Sequence, residues 1–444
     1  MPSVIVTDKI FRTTLLIFFL TGKIVFAQEN TPWSRYGLGD PVHSANILNR
    51  GMGNIAIAYN NPQSVNFNNP ASYSRFGAQR AILDLGIDFQ TRNLQNQTNA
   101  RASFSNIYIP YLAGGFQLKG EKRKREWGVA FGLTPVSKVS YNIESGVRKG
   151  ADSIIYNYEG NGGLYQAFAG TGIAFKKFSL GVNIGYRFGS KDYTTRISMI
   201  NDTLSGLFTS GLKEVRNNYG GLFAEFGIQY EISLSKKEMI TLGSFGSLSS
   251  SMQVKSEENI FTYLQPGDRA TITPIDSVSA IRKPTGNIVY PSSFGFGCMY
   301  DRIAQSKLTI GADFSFQQWT QYRIYDQPDL LTDAWQIKAG VQWIPEIKSK
   351  AKKNKRTLIY RAGTYYTQDP YIFNGNVNSY GFTLGLGLPV KKYSYTEFNR
   401  NNMLNFAFEF GRRGNATNVI VENYFRLAFG VTFSDIWFIK SKYD

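Results

Sequence analysis

From Tyr380 to Leu388 the chain reads YGFTLGLGL, with a large apolar side chain at every second position and a small or polar one between. Period-two alternation sends the two sets to opposite faces of an extended strand, one apolar and one wet. The pattern recurs: Leu83, Leu85, Ile87 and Phe89 alternate with Asp84, Gly86, Asp88 and Gln90, and similar stripes run through Trp127–Leu133, Phe178–Phe188, Leu222–Tyr230, Leu308–Phe316, Trp335–Trp343 and Phe425–Phe433. Beyond the N-terminus no run of about 18 apolar residues occurs, so no helical membrane span is expected. A chain that crosses a bilayer with half-apolar strands must close them into a barrel, because every backbone polar group needs a partner within the wall.

Laid in order, the strands fall at roughly 79–91, 104–118, 125–135, 162–175, 178–199, 218–232, 238–254, 291–302, 306–325, 334–344, 356–366, 378–389, 403–412 and 422–434. That predicts an all-β, transmembrane antiparallel β-barrel of about fourteen strands, an even number as single-chain bacterial barrels require. Many stripes end in Tyr, Trp or Phe, as interfacial girdles do. Composition agrees: among 444 residues there are 43 Gly, 27 Tyr and 33 Phe, but one Cys and one His. Cys298 reads as a small hydrophobe on the strand face of Phe294, Phe296 and Tyr300.

The formal charge of +17 is spread over short Lys-rich connections at 119–125, 176–177, 235–237, 302–307, 348–356 and 391–392. Longer mixed connections, at 91–103, 136–161, 200–217, 256–290, 367–377 and 413–421, alternate with them. This is barrel topology, with short turns on the periplasmic side, long loops outside and both termini on the short-turn side. Dispersed basic clusters do not make the single stripe of a nucleic-acid-binding domain. In the 200–217 connection, Leu204, Leu207, Phe208, Leu212 and Val215 keep helical spacing behind Asp202 or Thr203. The spacing predicts a short amphipathic helix whose apolar face either stiffens the rim or serves as a hydrophobic landing surface, with Phe261, Tyr263 and Leu264 as a second candidate.

The first 27 residues read as a signal peptide: Lys9 and Arg12 precede an apolar stretch from Thr13, interrupted by Lys23, and cleavage is expected near Ala27. Between that signal and the first stripe lies Tyr59–Ser74, YNNPQSVNFNNPASYS, where Pro62 and Pro70 exclude a helix interior or central strand. Its Asn side chains are expected to bond local backbone in a turn-rich loop. Gly51 and Gly53 precede it and offer backbone freedom.

Asn69-Pro70-Ala71, some twenty residues after a Gly-x-Gly and just before a barrel pattern, resembles the hatch of the outer-membrane long-chain fatty-acid and hydrophobic-compound transporters, the FadL- and TodX-like family. The resemblance implies a plug in the lumen, here residues 28–78, held by Gly51, Gly53, Asn69, Pro70 and Ala71 inside a barrel of residues 79–444. It also implies passive uptake of hydrophobic molecules such as long-chain fatty acids across a Gram-negative outer membrane, without a cofactor. The implied partners are outer-membrane lipid, lipopolysaccharide and a hydrophobic small-molecule ligand. Ser72-Tyr73-Ser74 departs from the family's small apolar continuation, which leaves the substrate open. The alternative is a non-transporting barrel that acts as a scaffold or shuttle for a protein secretion partner. Since the wall would carry its own hydrogen bonds, a barrel lacking residues 28–74 is expected to insert and leak.

Enzymatic chemistry is not expected. The only histidine, His43, falls in the expected plug rather than beside a nucleophile, and no Cys/His metal spacing or phosphate loop occurs. Asp84 and Asp88 share a lumen-facing side, either as a carboxylate pair or as wet wall.

Overall fold

The computed structural model describes residues 30–42, 45–77, 80–119, 125–149, 152–201, 210–264, 273–345, 358–372, 374–391, 401–415 and 417–436. The alternating segments form fourteen wall strands: β1 (Arg80–Asn96), β2 (Arg101–Tyr108 and Leu112–Lys119), β3 (Arg125–Lys149), β4 (Asp152–Phe175), β5 (Phe178–Asn201), β6 (Ser210–Ser233), β7 (Glu238–Ser247 and Ser250–Leu264), β8 (Gly286–Tyr290 and Ser293–Ile303), β9 (Lys307–Gln317), β10 (Ala334–Ile344), β11 (Ile359–Ile372), β12 (Asn376–Lys391), β13 (Asn401–Arg413) and β14 (Ile420–Ile436). Each pairs antiparallel with its neighbour in sequence, and the ladder from Arg80↔Ile436 to Asn96↔Ile420 joins β1 to β14 and closes the barrel. Where β2 breaks, at residues 109–111, Pro110 removes a ladder donor.

The faces fall as the period-two pattern requires. Leu83, Ile87, Phe89, Ile184, Phe226, Phe382 and Leu384 are exposed around the outside, while Asp84, Asp88, Gln90 and Thr383 are buried inside. The outer belt is lipid-facing wall, and aromatic pairs such as Tyr165 with Phe188 mark its edge. Cys298 is exposed on this belt.

In their described parts the long connections at 136–161, 200–217 and 256–290 are largely strand. β3 has 25 residues and β4, β5 and β6 have 24 each. A tilted membrane strand needs about 9–11, so these four continue past the belt as a raised sheet, joined by the second part of β7 and a further strand, Thr273–Arg282. Cross-strand ion pairs on this sheet, Arg196–Glu159 at 3.1 Å, Arg216–Asp192 at 2.9 Å and Lys213–Glu258 at 2.7 Å, suit a surface in water.

The helix expected over 201–215 is corrected in its described part, since Ser210–Val215 is strand. Leu212 pairs with Arg196 of β5 and Phe261 of β7 and is buried, so it is no landing surface. Two flanking ladders satisfy this backbone on both edges, and that outweighs a helical spacing of apolar residues. Tyr263 of the second candidate is likewise buried. Leu204, Leu207 and Phe208 lie outside the described residues, as do His43 and the expected signal segment with Ala27.

Residues 30–42 and 45–77 line up through the lumen from one end to the other. Thr31 N–H donates to the Ser140 carbonyl at 2.8 Å and Asn30 Nδ2 to the Asn142 carbonyl at 2.7 Å, both in the raised part of β3. At the opposite end Arg75 Nη2 donates to the carbonyl of Lys176, in the short turn between β4 and β5. The start of β1 and the end of β14 therefore share the short-turn end as expected, but Asn30 lies at the other end of the lumen.

Candidate functional site: the luminal segment and the seam it meets

Two turns give the segment its shape. Asn46 caps a single helical turn, Ile47–Arg50, its side chain accepting from Asn49 N–H at 2.9 Å. Gly51 then passes so close to the wall that a Cβ on it would lie 2.8 Å from the Cα of Gly385, and Gly53 adopts φ +71° with its N–H donated to Thr383 Oγ1 at 2.8 Å. The Asn-Pro-Ala residues form the second turn. Asn69 caps Pro70–Arg75, its Oδ1 accepting from Ala71 N–H at 3.1 Å. Its Nδ2 bonds the Ile57 carbonyl at 2.6 Å and also reaches the wall, at the carbonyls of Ser244 (3.2 Å) and Ile228 (3.4 Å). Ser72 and Ser74, which depart from the family pattern, donate to the Asn69 and Ala71 carbonyls at 2.7 Å each. All five expected plug residues are thus gathered in the lumen, against the wall.

The ion pairs lie elsewhere, on residues of which the sequence reading singled out only Asp88. Arg50, fully buried, reaches Asp88 of β1 at 2.6 Å and Glu409 of β13 at 3.5 Å. Asp40 holds Arg92 of β1 at 3.0 Å and Arg413 of β13 at 2.7 Å. Around them Arg92 meets Glu422 at 3.1 Å, Arg426 meets Glu409 at 3.1 Å, and Arg413 meets Asp369 at 2.7 Å. Asp84 and Asp88 are not a carboxylate pair: Asp84 accepts from the Tyr111 and Thr432 hydroxyls at 3.1 and 3.2 Å, whereas Asp88 takes the Arg50 guanidinium. A sequence signal did exist. Asp88/Arg92, Glu409/Arg413 and Glu422/Arg426 are opposite charges four apart at inward positions of three strands.

Across the lumen the contacts include neutral amides and the carboxylates of Asp313 and Glu231. Gln229 donates to the Ile57 carbonyl at 3.0 Å, and Asp313 accepts from Ala56 and Ile57 N–H at 2.7 and 2.9 Å. At the raised end, Trp33 and Leu38 pack with Leu164, Tyr219, Met252, Trp319 and Leu331. There Gly37 donates its N–H to Asp329 at 3.0 Å and accepts from Lys191 Nζ. Burial pushes the Lys191 ammonium down to about 7, with Asp329 pulling it back up. A cavity of about 270 Å³ remains between the segment and the wall, touching Asp40, Arg92, Arg187, Glu225, Phe316 and Arg413. No cluster of His, Cys, Asp or Glu among the described residues is arranged to hold a metal.

A family model described as BamG matches residues 9–444, nearly the whole sequence. The chain belongs to the BamG family. No curated protein is similar to this BamG-family chain. Solved structures share its fold: a Pseudomonas aeruginosa FadL homologue (13% identity, 90% of this chain and 100% of that one, TM-score 0.56), the Ralstonia pickettii toluene transporter TbuX (12%, 88% and 98%, 0.55) and the CymD monoaromatic hydrocarbon channel (14%, 89% and 99%, 0.54). The resemblance first carried by Asn69-Pro70-Ala71 therefore holds for the fold of the whole BamG-family barrel.

Proposed function

We propose that this chain is an outer-membrane barrel for passive uptake of hydrophobic small molecules, closed here by residues 28–78 acting as a hatch. The observation that carries the reading is a luminal segment seated in a channel-type barrel with a cavity of about 270 Å³ left against the wall. That volume is close to the lower end of small-molecule pockets, roughly 300 Å³. Passage requires the hatch to shift, and Asn69 ties its second turn to both β6 and β7. Long-chain fatty acids are one cargo class the fold suggests. Export by the signal segment, cleavage near Ala27, and contact with lipopolysaccharide at a Gram-negative outer membrane belong to the same proposal.

Asn69→Ala removes hydrogen bonds typically worth about 1 kcal/mol apiece and leaves the wall ladders intact. The expected result is altered uptake of hydrophobic compounds, or raised permeability, at normal abundance in the outer membrane. Normal abundance with both unchanged would sink the uptake reading.

The charged part of the cavity lining keeps the alternative in view. Arg92, Arg187, Arg413 and Arg426 face it together with Asp40, Glu225, Asp369 and Glu422, a poor surface for apolar cargo. With a lumen so charged and a raised sheet outside it, the barrel would instead serve as a scaffold or shuttle for a secretion partner. Mass spectrometry of material that survives purification separates the two, since a retained acyl chain supports uptake and a retained protein supports the scaffold.

A further inference from the structure

A barrel is finished only when its first and last strands meet, and here β1 and β14 are more than three hundred residues apart in sequence. Such contacts form late, because chain entropy must be lost before the ladder returns anything. The charges at this seam are arranged in two levels. At the lower level Asp88 of β1, Arg426 of β14 and Glu409 of β13 face inward, with Glu409 directly paired to Arg426. Two carboxylates and one guanidinium leave this level one positive charge short, and Arg50 supplies it, touching Asp88 at 2.6 Å and Glu409 at 3.5 Å. At the upper level Arg92 of β1 and Arg413 of β13 flank Glu422 of β14. Asp40 places one carboxylate oxygen on each of those arginines, so it spans the same three strands with opposite sign. Asp369 adds a second carboxylate to Arg413 on its outer side.

We propose that the luminal segment is a template for barrel closure, with Arg50 and Asp40 as oppositely charged braces that bring β1 to β13 across β14. Its other ion pairs among the described residues, Arg75 with Glu126 and Glu231, sit half-buried at the short-turn mouth away from the seam. Toward the strands opposite the seam it offers neutral amides, which position without selecting sign. Without Arg50, closure would bury Asp88 and Glu409 near one another against a single Arg426, and an uncompensated buried charge is strongly unfavourable. Docking the segment first converts that repulsion into attraction. This runs against the sequence-based expectation that a barrel lacking residues 28–74 simply inserts and leaks.

The test refolds the full-length urea-unfolded chain into detergent micelles and follows closure by the gel-mobility difference between unheated and boiled samples. Arg50→Met should slow closure roughly tenfold or more, because the brace acts in the closing step. Adding Asp88→Asn to that variant removes the stranded carboxylate, leaves Glu409 paired with Arg426, and should restore closure to near the rate of the unaltered chain. If Arg50→Met fails to close at all, recovery in the double variant carries the same meaning. Closure of Arg50→Met at the unaltered rate, or a double variant no faster than the single one, overturns the template.

Discussion

Lys191 leaves β5 three residues beyond Phe188, above the lipid belt, and donates to the Gly37 carbonyl in the cap over the lumen. Its ammonium is lowered from 10.5 to about 7 by burial, against the pull of Asp329. Between those two values the opened chain binds a proton here that the closed cap does not. Stability of the cap therefore rises with pH across that window, and the full penalty of the buried charge is present below it. The phenols around the site, Tyr193, Tyr219 and Tyr322, are all pushed upward by burial and stay neutral throughout. Hydrogen exchange of residues 33–41, corrected for intrinsic rates, should show protection increasing from pH 7 to 10 in the unaltered protein. In Lys191→Met the protection should be flat with pH, and a persisting slope there would assign the effect to another group.

At the scale of an element, β12 carries the clearest stripe and its two faces have different neighbours. Leu384 is exposed on the lipid belt, and Leu384→Arg should cost about 2–4 kcal/mol if it lies near the bilayer midplane. Thr383 points into the lumen, where a wet wall would tolerate an arginine. The structure removes that tolerance, because Thr383 is fully buried and accepts the Gly53 N–H at 2.8 Å. Thr383→Arg should thus destabilise at least as much as Leu384→Arg, while Thr383→Val, which loses one hydrogen bond, should cost about 1 kcal/mol. Urea titration of the refolded barrels would order the three. A mild Thr383→Arg would mean that the luminal segment does not press on β12 in solution.

For the whole molecule the orientation follows from the raised sheet and the short turns. Cysteines at Asn287, in the outer part of β8, and Asn374, in the turn between β11 and β12, should label with a membrane-impermeant reagent on intact cells. One at Lys236, in the turn between β6 and β7, should label only after lysis. Lysis-independent labelling at 236 would invert the barrel.

The alternation in Leu83–Phe89 and Tyr380–Leu388 was enough to give the strands, their lipid and lumen faces, and the number fourteen, because a period of two is a local property that a bilayer enforces at every turn of the pleat. The Asn-Pro-Ala turn was legible for the same reason, since its capping bonds are made within a few residues. The raised sheet was not, because its outer face carries cross-strand ion pairs in place of the apolar stripe that marks a membrane segment. Nor was the course of the luminal segment, whose first described residues lie beside Ser140 and Asn142. Arg50 and Asp40 acquire their meaning only from Asp88, Arg92, Glu409 and Arg413, which come from opposite ends of the chain. Only closure of the barrel puts those four side chains within reach, and no local spacing encodes it.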